Sequence, residues 1–329
     1  MIGQPTTIER VCVIGAGTIG SLLAGHLARV CEVTVLTRRR EHARELNEQG
    51  LTVSGKHEHR AQLRATCEPS ELGPFDLGIF AVKAPDLEES ARRLAGRAGS
   101  AAMMTIQNGI GAEAVVRRHG RWPIISAVTF MSGIRHSDTH VEYELDTETW
   151  MGPWAATATP PLLVRETAAL LVRSGLRAQA MPDLLGAQWS KLIFNAAVNG
   201  VAALTDLPHV GLFALEREPT DLGHLVHALI DEGVAVAAAL GVPLHDDPWE
   251  MNLLAVARGE TGHGAYAHLP SMLEDVRARR TTEVDFISGA LVREGQRAGV
   301  PTPLNAAIYR LIKAKEVSWS LSIPAPVRA

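Results

Sequence analysis

Hydrophobic and polar positions follow two regimes along this chain. In the first half, short apolar runs alternate with polar stretches, at residues 11–14, 32–36, 75–82, 101–106 and 124–130. Short β-rich runs bounded by turn residues predict buried strands. Segments 21–29 and 87–94 lie between them and read as helices. Strands alternating with helices predict a parallel, doubly wound sheet. The pattern changes near Met181-Pro-Asp183, after which Ala- and Leu-rich segments run long. Helices are predicted over 184–204, 220–240, 268–298 and 304–315, punctuated by Pro208, Gly241-Val-Pro243 and Gly299-Val-Pro301. The third of these is a candidate for a break, because Pro270 suits a helix start better than an interior. The tail after Val317 reads as irregular. The expected architecture is an α/β Rossmann-like doubly wound domain over residues 1–182 and an all-α domain over 183–329.

Within the first long helix, Lys191, Asn195 and Asn199 stand at i, i+4 and i+8 among apolar residues. They share one helix face and span roughly 12 Å at about 1.5 Å per residue. Polar groups aimed into an apolar setting need partners, and a bound polar substrate is one candidate.

The first strand is followed by Gly15-Ala-Gly17-Thr-Ile-Gly20 and then by a helix. In that context G-x-G-x-x-G marks a dinucleotide site, with the pyrophosphate at the helix N-terminus. An NAD site usually ends the second strand with Asp or Glu, which bonds the ribose 2′-hydroxyl. This strand ends Leu36-Thr37-Arg38-Arg39-Arg40 instead. Guanidinium groups suit a 2′-phosphate, so the expected cofactor is NADP(H), with Arg38, immediately past the strand, as its selector.

Composition narrows the function classes. The chain has 329 residues, 46% hydrophobic and 21% charged, with a net charge of −4. Nothing in that balance supports nucleic-acid binding. No uninterrupted apolar stretch suits a membrane span, and the N-terminal residues lack a signal-peptide core. Cys12, Cys31 and Cys67 are too few and too irregularly spaced for a zinc site and read as reduced thiols. A cytoplasmic enzyme with a small-molecule substrate is the expectation. The Ala-rich helices suit either a homodimer interface or the core of their own domain.

In order along the chain stand Gly15–Gly20, Ala81-Val-Lys83-Ala, Gln107-Asn-Gly-Ile-Gly111, Lys191-x3-Asn195-x3-Asn199, Ser271-Met-Leu-Glu-Asp275 and Thr282-Glu-Val-Asp-Phe-Ile-Ser-Gly289. Together they resemble the ketopantoate reductase (2-dehydropantoate 2-reductase) family, from Val11 to about Lys315. The resemblance implies reduction of 2-dehydropantoate to pantoate with NADPH, on the route to pantothenate. It implies that Lys191 is the general acid and that Glu283 lies near the ammonium, the substrate hydroxyl and the cofactor. It implies that Asn195, Asn199 and Ser271 hold the substrate, that Asn108 touches substrate and cofactor, and that Lys83 lies near the cofactor. Elementary chemistry agrees, since hydride attack on a ketone places negative charge on oxygen, which an ammonium stabilises and then protonates. Burial would lower the lysine pKa and Glu283 would oppose that shift.

Three positions depart from the family pattern: Pro270 stands where relatives often have Ser, Gly200 where Pro is common, and His209 where an Asn is expected. They bear on which 2-oxo acid is accepted. Competing readings are a reductase of another branched 2-oxo acid, a non-catalytic NADP-binding sensor, and an amino-acid-linked oxidoreductase. Blander roles for single residues are a cap for Ser271, an ion pair with Arg279 or Arg280 for Glu283, and a strand-end position for Lys83. His136 and His140 read as a solvated loop rather than metal ligands. His263 and His268 fall in a Gly-rich connection, and His224 and His227 in a helix.

Overall fold

The computed structural model describes residues 8–209, 221–261 and 269–321. The chain divides into two compact units, one running to Gln107 and resuming over Gly111–Leu184, the other taking Asn108–Ile110 and the described residues from Leu185 onward.

The first unit opens with β1 (Arg10–Ile14), α1 (Thr18–Leu27), β2 (Glu32–Leu36), α2 (Arg40–Gln49), β3 (Leu51–Gly55), β4 (His59–Ala61), β5 (Arg64–Thr66) and β6 (Leu77–Phe80). It continues through α3 (Leu87–Leu94), β7 (Ala102–Thr105), α4 (Ala112–Arg117), β8 (Ile124–Thr129), β9 (Ser132–Ser137), β10 (His140–Leu145), β11 (Thr149–Pro153), α5 (Pro161–Arg173) and β12 (Ala178–Ala180). The main sheet has the order β12-β11-β8-β7-β6-β1-β2-β5. It is parallel except where β11 meets β8 antiparallel. Strands buried on both faces read as continuous apolar runs, which is why β1, β6 and β7 were visible as such. This is the Rossmann-like α/β arrangement.

A second sheet, β4-β3-β10-β9, was not foreseen. Its β9–β10 hairpin occupies the segment carrying His136 and His140, which is therefore paired strand and not a solvated loop. The signal was a short period-two alternation: Val141 and Tyr143 are buried, whereas His140, Glu142 and Glu144 between and beside them are more open. Tyr143 packs beside His26 of α1, with ring centroids 5.4 Å apart.

The second unit is helical: α6 (Leu185–Thr205), α7 (Asp221–Ala239), α8 (Pro248–Thr261), α9 (Ser271–Arg277), α10 (Ser288–Ala298) and α11 (Pro303–Ser318). The segment 268–298, expected as helix with a candidate break at Pro270, holds two helices, α9, which starts directly after that proline, and α10, joined through Arg279 in the left-handed region (φ 50°). Helices α2, α4, α5 and α8 were not among the predicted segments. The tail expected to be irregular after Val317 begins as the last turn of α11, to Ser318. His263 and His268 lie outside the described residues. Among the described residues α7 is the one helix long and apolar enough to cross a membrane. Its Val226, Leu229, Ile230 and Val236 are nonetheless buried.

Gly200, where the family pattern favours proline, sits in the middle of α6 with no room for a side chain. A Cβ there would stand 2.3 Å from Cγ2 of Ile308 on α11. The departure is thus a packing requirement, as close approach of two helices favours glycine at the crossing.

Candidate active site

The glycine-rich turn shows a separate physical reason for each glycine. Gly15 has φ +105°, and a Cβ there would meet the backbone N of Val82 at 2.7 Å. Gly20 lies under the turn, where a Cβ would stand 2.0 Å from the carbonyl oxygen of Gly15. Gly17 caps α1 without a side-chain hydrogen bond and faces open space, with no atom within 4 Å of its absent Cβ. The first turn of α1 carries no acidic residue. An open approach to unopposed helix N–H groups fits the pyrophosphate of a dinucleotide.

At the end of β2 the three arginines separate by role. Arg39 is tied to the carboxylate of Asp138 in the β9–β10 turn. His42 Nε2 lies 2.9 Å from the carbonyl oxygen of the same residue. Arg38 is 84% exposed, and its guanidinium lies 4.0 Å from the Asp86 carboxylate. Arg40 is similarly open, 3.8 Å from Glu68. Of the three, Arg38 and Arg40 are the ones open to an incoming phosphate. Lys83 is half-buried and precedes a short 3-10 turn, Ala84–Asp86, whose Asp86 N–H donates to the Lys83 carbonyl at 2.9 Å.

In the helical unit, α6 carries Lys191, Asn195 and Asn199 on one continuous helix, and both carboxamide residues are buried. Asn195 Nδ2 is buried without a hydrogen-bond partner among the described residues. Such a donor is costly unless a partner completes it, so it fits a ligand acceptor. Lys191 is half-buried by surface area yet densely surrounded. Burial lowers its pKa to about 8, against the opposing attraction of the Glu283 carboxylate.

Glu283 is itself buried, and its Oε2 accepts a hydrogen bond of 3.1 Å from Asn108 Nδ2. Two further contacts fix this pairing. Gly109 adopts φ +90° with its Cα close against the Phe286 carbonyl, and the Ile110 N–H donates to that carbonyl at 3.1 Å. The Glu283 turn is pinned from α11, where Glu316 accepts from the Thr282 N–H at 2.8 Å and from its hydroxyl at 2.7 Å. Glu283 is thus no surface partner of Arg280, which pairs with Asp275 instead. Ser271 is the first residue of α9, with Pro270 in the cap position and no side-chain cap bond.

Sequence reasoning did not single out Thr282, Glu316 or Gln107 as site residues. The first and last stand inside quoted motifs, whereas Glu316 carries no local signal because its partner is 34 residues away. His209 stacks on Phe194, with ring centroids 6.0 Å apart and planes 4° from parallel. His136 pairs with Glu142 at 2.8 Å, and His140 Nε2 lies 2.8 Å from the Ser54 hydroxyl. Burial pushes the thiols of Cys12 and Cys31 up to about 12 and about 11, which removes them as nucleophiles.

Two family models match the chain: ketopantoate reductase PanE/ApbA over residues 11–156, and ketopantoate reductase PanE/ApbA C terminal over residues 183–316. The 2-dehydropantoate 2-reductase of Pyrobaculum aerophilum is 31% identical, over 92% of this chain and 97% of its own length. Among solved structures, a PanE/ApbA family ketopantoate reductase from Ralstonia eutropha JMP134 aligns with TM-score 0.81 and 26% identity, covering 95% of this chain and 100% of that one. A D-mandelate dehydrogenase, solved with NADH and anilino(oxo)acetate, shares the fold at TM-score 0.82 and 24% identity, with the same coverage.

Proposed function

We propose that this chain, which belongs to the ketopantoate reductase family, reduces 2-dehydropantoate to pantoate with NADPH, a step of pantothenate biosynthesis in the cytoplasm. The observation that carries the reading is Lys191: a densely surrounded lysine whose pKa burial lowers to about 8, against the opposing pull of the buried Glu283 carboxylate, on a helix face shared with two buried carboxamides.

NADPH, when bound, supplies the hydride. Gly15, Gly17 and Gly20 shape the turn that receives its pyrophosphate, Arg38 favours its 2′-phosphate, and Lys83 lies near it. Lys191 holds its ammonium toward the oxygen that becomes an alkoxide and gives that oxygen its proton. Glu283 keeps the ammonium charged and oriented, and Asn108 orients Glu283 through the 3.1 Å hydrogen bond. Asn195, Asn199 and Ser271 offer neutral donors to the substrate's carboxylate and hydroxyl, recognising charge without adding a counter-ion that would lower the Lys191 pKa further.

A reductase of another 2-oxo acid is the second reading, favoured by His209, whose ring stacks on Phe194 where an Asn is expected. A sensor without catalysis has no use for a proton donor paired with a buried carboxylate. The deciding experiment follows coenzyme oxidation by absorbance with 2-dehydropantoate and a panel of other 2-oxo acids, using NADPH and NADH. Turnover fastest with 2-dehydropantoate, and kcat/KM at least about tenfold higher for NADPH, is the expected result. One extra charge-assisted contact contributes about 1.5–3 kcal/mol. Activity on a different acid alone would remove the pantothenate assignment, and silence across the panel with tight NADPH binding would leave the sensor.

A further inference from the structure

We infer that Gln107 is a positioning residue for the nicotinamide dinucleotide, acting through the chain segment on which the glycine turn rests. The inference depends on the proposed use of such a cofactor, not on which acid is reduced. Pairing between β6 and β7 ends at Phe80 and Thr105. Beyond that point the carbonyls of β6 lose their strand partner, and buried backbone acceptors left without donors are costly. Gln107 supplies the missing donors: its Nε2 donates to the Phe80 carbonyl at 2.7 Å and to the Val82 carbonyl at 2.8 Å. Both amide protons are consumed there. Its Oε1 is buried without a hydrogen-bond partner among the described residues, so the side chain's polar contribution is this two-carbonyl clamp.

The clamped segment is the floor of the cofactor turn. Gly15 lies against Val82 so closely that a Cβ would stand 2.7 Å from its N and Cγ1, and a Cβ on Gly20 would stand 3.2 Å from Ala81 Cβ. The Ala81 N–H donates to the Ile14 carbonyl at 2.8 Å, tying the same segment to the end of β1. Lys83 follows directly, and Asp86, three residues on, is the carboxylate facing Arg38. In a doubly wound sheet, ligands bind outside the carboxyl ends of the strands near the switch point. One carboxamide at the end of β7 therefore sets the height of the glycine turn and the placement of Lys83.

The test is a titration of NADPH binding, by coenzyme fluorescence and without any acid, to the full chain and to Gln107→Met, which keeps the length of the side chain and removes both donors. The expected result is a dissociation constant raised about tenfold or more, the equivalent of one to two lost buried hydrogen bonds. The melting temperature of the unliganded protein should fall by a few degrees, because two carbonyls lose their donors, whereas the KM of the 2-oxo acid should stay near that of the unaltered chain. Gln107→Glu guards against a folding defect. It should weaken binding at neutral pH, where a carboxylate faces two carbonyls, and recover part of it in acid, where the neutral carboxyl donates one hydrogen bond. NADPH affinity within about twofold of the unaltered protein in a folded variant overturns the inference. So does a parallel loss of melting temperature, acid KM and NADPH affinity, which marks a purely structural role. A chain that binds NADPH but reduces none of the acids would defeat the proposed function while leaving the Gln107 comparison readable.

Discussion

Lys191→Ala is expected to lower kcat for ketone reduction by about 10²–10⁴-fold, the usual contribution of a positioned proton donor. The KM of the acid should change far less, because the carboxamides of Asn195 and Asn199 remain. The same residue sets a pH dependence. On the proposed role of Lys191, reduction needs the ammonium form, and burial lowers its pKa to about 8. The rate of reduction should therefore be highest below about pH 8 and fall as pH rises through it. Oxidation of the hydroxy acid, which needs the neutral amine, should rise over the same range. Initial rates in both directions from pH 6 to 10 check both statements. A variant that keeps the alkaline fall, or retains more than about a third of the activity, would assign the proton to another group.

Gly109→Ala should be the most damaging single methyl group in the helical unit. Its φ of +90° already disfavours any L side chain, at a cost of about 1–2 kcal/mol. The larger effect is the obstacle: a Cβ would lie 1.9 Å from the Phe286 carbonyl oxygen and 2.5 Å from its carbon. Both are backbone atoms, which cannot rotate away as a side chain would. The 108–110 segment must then lift from Phe286, and Asn108 loses Glu283. We expect a stability loss above about 3 kcal/mol, at the upper end for single substitutions, together with loss of activity. Gly111→Ala is the control. It has φ +99° but no atom within 4 Å of its absent Cβ, so only the strain should be felt. Chemical denaturation of both variants separates the two effects. Equal losses would mean that backbone strain, and not the Phe286 contact, dominates at Gly109.

The features legible in the sequence were those with a short period. Strands β1, β2, β6, β7 and β8 of the main sheet declared themselves as apolar runs, whereas the edge-side strands β5, β11 and β12 did not; β1 with its glycine turn and α1 followed one another as expected. The spacing of Lys191, Asn195 and Asn199 was enough to place them on one helix face, because helical phase is a local property of 3.6 residues per turn. The second sheet escaped because its strands are short and β3 pairs with β10 across roughly 90 residues of chain. Its one visible sign, the alternation around Val141 and Tyr143, lay in a segment whose histidines were read as a solvated loop. In the segment 268–298 a helix starts directly after Pro270, as that proline suggested, but the run also breaks where Arg279 turns left-handed, a conformation an arginine does not advertise.

Local pattern by itself determined the α/β and helical halves, the glycine turn, the absence of an acid after β2, and the polar face of α6. Tertiary structure alone decided which two of the three arginines stay open, since Asp138, 99 residues from Arg39, withdraws that one. It also decided what Gly109 must fit against and where Glu283 points, through Phe286, Asn108 and Glu316. The pKa of Lys191 belongs to this second group. Residue types name two opposing influences, burial and Glu283, but their strengths depend on distance and on excluded water. Only the folded arrangement makes burial the stronger and brings the ammonium to about 8.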